Sequence, residues 1–122
     1  MKKEKFHILL ITNDIKDEYN LLGSYDKKEN LIEFYETNKL RSKITIDLNK
    51  HILSKENIDY KIILDLDTSK ETNGEVFLNK ENGSIRLKIK TNTFDLTNNK
   101  LTMKYTILDS KEEIIYEIEM GE

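Results

Sequence analysis

Apolar and polar residues alternate along most of the chain. The strongest pattern lies in the last third, where Ile85, Leu87 and Ile89 are interleaved with Arg86, Lys88 and Lys90. A period of two sends successive side chains to opposite faces of a strand, one buried and one wet. After a turn at Asn98-Asn99 the pattern resumes with Leu101, Met103, Tyr105 and Ile107 set against Thr102, Lys104 and Thr106. So short a connection makes the two strands an antiparallel hairpin. Ile114, Tyr116, Ile118 and Met120, alternating with Glu117 and Glu119 beyond a loop at residues 109–112, extend it into a meander.

The middle of the chain reads in the same way. Ile44, Ile46 and Leu48 form one strand face, and Tyr60, Ile62, Leu64 and Leu66 form another, with Lys61, Asp65 and Asp67 on its opposite side. Between them, residues 51–55 fit a short strand after a turn at Asn49-Lys50, with a single helical turn as the alternative. Asn73-Gly74 and Asn82-Gly83 read as tight hairpin turns, because both residue types tolerate the positive φ of a type I′ turn. Residues 75–79 are then the strand between those turns. Earlier in the chain, Phe6, Ile8 and Leu10 form a strand face, followed by a polar segment at residues 12–18. Residues 21–25 and 31–35 flank a turn at 26–30, and Gly23 within the first of them marks a bulge or a barrel bend. The sum is eight to ten short strands with no amphipathic helix. A sandwich or a barrel satisfies such a list; closure into a single antiparallel barrel buries every apolar face and leaves no sticky edge, so the barrel is preferred.

Composition agrees. The chain has 122 residues, the size of one domain spanning 1–122, and 37% are apolar, enough for a core despite 35% charge. Those apolar residues include 16 Ile and 15 Leu but no Ala, and with 12 Asn they argue against a helical bundle. The absence of Cys excludes a disulfide framework and thiolate zinc sites. A net charge of -3 offers no basic excess for nucleic-acid binding, and Arg41 and Arg86 are too few for an arginine clamp. Abundant Lys, Asn and Ile with little Arg or Gly is also what an A/T-rich genome would encode. The apolar run after the basic N-terminus is short and broken by His7, unlike a signal peptide, and no stretch reaches the ~20 apolar residues of a membrane span. The expectation is a soluble cytoplasmic protein with no membrane or nucleic-acid partner, and Asn82-Gly83-Ser84 is read as a turn rather than a glycosylation site.

The stretch GSIRLKIKTNTFDLTNNKLTMKYTILDSKEEIIYEIEM, from Gly83 to Met120, resembles the C-terminal half of the DUF1934 family of small bacterial proteins. Gly83 opens a long strand, Thr91 interrupts it before a second apolar segment, and Leu101, Met103 and Tyr105 follow. Upstream, Gly23-Ser24-Tyr25, residues 31–36 and residues 42–48 are similar to the family's early hairpin and next strand. Where that family commonly has a Thr-Pro-Tyr-Gly type turn, Lys80-Glu81-Asn82-Gly83 keeps only the glycine. The resemblance implies an all-β, calycin-like or lipocalin-like barrel of no established activity, and it carries over no functional residue.

No catalytic, cofactor-binding or metal-ligating set emerges. His7 and His51 fall on separate strands without a partnering Cys, and Asp65, Asp67, Glu117 and Glu119 fall on wet faces. None of the serines lies in a Gly-x-Ser-x-Gly elbow, and four Gly supply neither a phosphate loop nor a dinucleotide fingerprint. A small barrel does have an interior wide enough for one small ligand. Phe34, Tyr60, Leu64, Leu87, Tyr105 and Tyr116 share inward faces and are the expected lining, unless the same rings simply fill the space. Leu9, Ile11, Ile63, Leu108 and Ile115 fall on nominally wet faces, which suggests an outer patch, a homodimer contact or a second covered layer. The expected function is a non-enzymatic barrel binding a small, mostly apolar molecule. The alternative is a packed barrel that engages other proteins through an outer face or a strand edge.

Overall fold

A computed structural model describes residues 3–37, 40–80 and 83–121. Ten strands follow one another: β1 (Glu4–Thr12), β2 (Ile15–Asp26), β3 (Leu31–Tyr35), β4 (Lys43–Asp47), β5 (Ile52–Glu56), β6 (Tyr60–Asp65), β7 (Thr72–Leu78), β8 (Gly83–Thr97), β9 (Lys100–Ile107) and β10 (Glu112–Met120). Each pairs antiparallel with its sequence neighbours, and β1 also pairs with β10, closing the ring. The all-β, closed antiparallel barrel expected from the alternation is the observed architecture. No helix among the described residues is long and apolar enough to cross a membrane.

Turn chemistry fixes the hairpins. Asn13-Asp14 and Asn98-Asn99 have positive φ at both positions, 47° and 71° in the first and 52° and 62° in the second, as a two-residue type I′ turn requires. The connections at 27–30, 48–51 and 108–111 each end on a left-handed residue, Asn30, His51 and Lys111. In the first two, the carboxylate of the preceding strand residue, Asp26 or Asp47, accepts hydrogen bonds from the backbone N–H groups two and three residues on.

Several expected boundaries shift. The polar segment 12–18 is mostly strand, because Asn13-Asp14 turns the chain early and residues 15–23 pair along β1. Asn73-Gly74 is not a turn: both residues lie inside β7, where Gly74 sits between Leu64 and Leu87. A Cβ on Gly74 would come within 2.7 Å of both Ile89 Cδ1 and Leu64 Cδ2, so this glycine makes room for core side chains. Asn82 lies outside the described residues, and Gly83 is the first residue of β8, paired with Leu78. Gly23 is the residue of β2 paired on both sides, with Glu4 and with Phe34, where the strand passes from one neighbour to the other. No register shift occurs there; the Phe6 ring lies over the missing side chain. The bulge falls instead in β8, where Asn92 is left out of the ladder between Thr91 and Thr93. It moves the inward phase from Ile85, Leu87, Ile89 and Thr91 to Phe94 and Leu96.

The inward faces divide the interior into two ends. At the end carrying the β2–β3, β4–β5, β6–β7 and β8–β9 connections, Phe6, Ile8, Ile32, Phe34, Ile44, Ile46, Leu66, Ile89, Leu101, Met103 and Ile118 are almost fully buried. Phe6 meets Phe34 edge to face, with centroids 6.1 Å apart, and the His51 ring stacks on Phe94 at 4.0 Å. This packed end is a filled core. On the outer surface, Ile11 lies beside Ile115, with Leu9 two residues along the same face of β1, whereas Ile63 is on β6 and Leu108 in a loop. The five expected patch residues therefore do not form one surface; only three are contiguous.

Two substitutions probe this packing. Gly23→Ala is expected to destabilise by about 1–3 kcal/mol in urea unfolding, because its Cβ would lie 2.2 Å from a Phe6 ring carbon, and Phe6→Leu in the same chain should recover part of that loss. Thr91 Oγ1 is buried with no hydrogen-bond partner among the described residues, so Thr91→Val is expected to raise stability by about 1 kcal/mol. An unchanged or lower midpoint would show that the hydroxyl is satisfied.

Candidate functional site

At the other end the same alternation leaves space. Leu10 and Thr12 of β1, Leu53 and Lys55 of β5, Ile62 and Leu64 of β6, Leu87 of β8, Tyr105 and Ile107 of β9, and Glu112, Ile114 and Tyr116 of β10 enclose a cavity of about 200 Å³. Its walls are mainly aliphatic, with two phenol rings among them. Tyr105 and Tyr116 are only 3% and 4% exposed, so both phenol rings belong to the buried part of the wall.

The polar side chains at this end follow from strand phase. Glu36 continues the inward series Ile32, Phe34 past the end of β3 and is 3% exposed. Lys55 continues the inward face from Leu53 on β5, opposite Ile44. β4 separates the two strands, yet Lys55 Nζ reaches across the interior to within 3.1 Å of Glu36 Oε1. The Lys55 side chain is 25% exposed, so the pair is only partly removed from water. Tyr19, on the inner face of β2, is close enough to the same Glu36 carboxylate to feel its charge. Lining an adjoining groove are Leu10, Asp17, Tyr19 and Glu36.

Burial is the main reason that the Tyr19, Tyr105 and Tyr116 hydroxyls are held well above the ordinary phenol value. Nearby carboxylates add to it: Glu36 and Asp17 act on Tyr19, and Glu112 and Glu36 on Tyr105. For Tyr116 the further contributions are Tyr105 and Glu36. A phenolate at any of these positions would lose hydration and face negative charge.

Of the residues expected to line a cavity, Leu64, Leu87, Tyr105 and Tyr116 do so. Phe34 does not: its ring is packed on Phe6 in the filled end, because its position on β3 falls two residues short of the cavity. Tyr60 stands at the start of β6 on the inward phase, half-buried and outside the cavity lining. Lys55, Glu112 and the neighbouring Glu36 were not among the expected residues. Their signal was available as phase, since Glu36 stands two residues beyond Phe34, and Lys55 two beyond Leu53. His7 is on the outer surface, where Nδ1 lies 2.8 Å from Asn20 Oδ1 and Nε2 lies 3.5 Å from Glu18, while His51 is stacked on Phe94. Among the described residues no group of three or more His, Asp or Glu side chains converges as a ligand set.

Comparison of the fold with solved structures finds a similar barrel in the ywiB protein from Bacillus subtilis, with a TM-score of 0.67 and 17% sequence identity over 97% of this chain and 91% of that one. No family model matches the chain, and no curated protein matches it.

The tyrosines give the protein an alkaline limit. Their folded-state values lie above the unfolded value of about 10, so the stability they contribute is complete below that pH and is lost as pH rises through the higher folded values. Urea midpoints should therefore fall above about pH 10, and Tyr105→Phe or Tyr116→Phe should flatten that fall. Parallel pH profiles for wild type and both variants would show that neither hydroxyl is perturbed.

Proposed function

We propose that this barrel is a non-enzymatic binding protein that holds a small, mostly apolar molecule in the cavity framed by Tyr105, Tyr116, Leu64 and Leu87. One observation carries the reading: an internal space with mainly aliphatic walls, into which two buried tyrosines and the Lys55 and Glu112 side chains bring a few polar groups. Ligand sites combine mostly apolar walls with a few placed polar groups in this way. The surroundings support it. Ile15, Leu40, Ile58 and Ile85 are exposed at the cavity end, with Ile58 81% and Ile15 68% accessible, and apolar surface of that kind suits the entry of an apolar molecule. Membership of the DUF1934 family is part of the same proposal, supported by the Gly83 to Met120 pattern together with the barrel itself.

A second reading, docking of another protein or a second copy, keeps one specific support: the strip of Leu9, Ile11 and Ile115 on the outer faces of β1 and β10. It would have to use that face, because a closed ring leaves no edge strand for a partner to extend.

Native mass spectrometry of gently purified protein separates these readings. A reproducible small-molecule adduct lost on denaturation is expected, and Leu87→Trp, which fills the cavity, should abolish it. Lys88→Trp, on the outer face of the same strand, should retain it. An adduct that survives Leu87→Trp in the folded protein would place the ligand elsewhere, and a dimer dissociated by Ile115→Glu would favour the outer strip.

A further inference from the structure

The cavity is specific about size and charge. An engineered apolar cavity of about 150 Å³ admits benzene, so the 200 Å³ here takes one ring, or a branched chain of similar bulk, with two or three further atoms. Long-chain lipids are too large. The ionised groups around it are unbalanced. Lys55 and Glu112 line the space, and Glu36 stands immediately behind Lys55, whose ammonium it neutralises at 3.1 Å. That leaves the Glu112 carboxylate, half-buried on the inward phase of β10 opposite Ile107, as the uncompensated charge on the wall. Arg41, itself exposed, is not part of the lining. Asp17, in the adjoining groove with Glu36, adds a further negative charge near the mouth.

We infer that the occupant is a small organic amine, a protonated nitrogen on an apolar body of about benzene size, and that carboxylates are excluded. This rests on the binding role proposed above and names the ligand class for the same site. The ammonium would donate to Glu112, while its apolar body lies against Leu53, Ile62, Leu87 and the two tyrosines of the lining. Because Glu112 is only half-buried, the charged end keeps part of its hydration, which lowers the cost of bringing it in. Burial is the main cause that holds the Tyr105 hydroxyl above its ordinary value, and Glu112 adds to it, as a carboxylate close to that wall would.

Three probes of nearly equal shape test it: benzylamine, benzyl alcohol and benzoate, titrated at neutral pH into the full chain and followed by calorimetry and by methyl NMR shifts. Benzylamine is expected to bind about tenfold more tightly than benzyl alcohol, equivalent to about 1.4 kcal/mol, with benzoate weakest. Glu112→Gln should bring the amine-to-alcohol ratio close to one, whereas Glu113→Gln, on the outward phase, should leave the ratio as in wild type. Benzoate binding as tightly as benzylamine, or a ratio indifferent to Glu112→Gln, overturns the amine assignment while the alcohol still reports an occupied cavity. If none of the three shifts the cavity methyls of the folded protein, the binding role itself falls, and the amine assignment with it.

Discussion

Seven residue pairs between β1 and β10, from Phe6 opposite Met120 to Thr12 opposite Ile114, join the first strand to the last, and the interior exists only once they form. An open ten-strand sheet with this alternation would expose one whole apolar face. Closure turns that face inward and removes both edges at once. It also makes the core a product of contacts spanning the chain, since Phe6 and Ile8 pack within the same cluster as Leu101, Met103 and Ile118. Long-range ladders of this kind are slow to form but cooperative once closed.

Within that constraint the two ends are solved differently. Isoleucines, phenylalanines and the closely approached Gly23 fill the packed end, and Gly74 stands where that end meets the cavity. Removing a side chain at Gly23 and Gly74 lets the Phe6 ring and the Ile89 and Leu64 methyls occupy the space a Cβ would take. Toward the cavity end the inward positions turn polar: Glu36, Lys55, Glu112, Tyr19, Tyr105 and Tyr116 replace Ile and Leu. Such groups stabilise a barrel less than well-packed hydrocarbon does, because burying a charge costs hydration that its partner only partly restores. Their placement therefore gives the cavity end a polar character without adding much to how firmly the barrel is held.

Strand identity, hairpin order and the all-β class are written locally in the chain. A two-residue period and an Asn-Asn or Asn-Asp turn need no distant partner, so Ile85 to Ile89, Leu101 to Ile107 and the Asn98-Asn99 turn are readable from neighbours alone. Gly74 misleads a local reading because its cause is remote: an Asn-Gly pair looks like a turn until Leu64 and Ile89 are seen to need the space. Tertiary structure alone decided which inward residues meet. Lys55 reaches Glu36 across an intervening strand, Tyr105 and Tyr116 face a space while Phe34 is packed away, and the bulge at Asn92 resets the phase of β8. Alternation specifies which face a side chain takes, but its depth along the barrel depends on stagger and closure, which no single strand encodes.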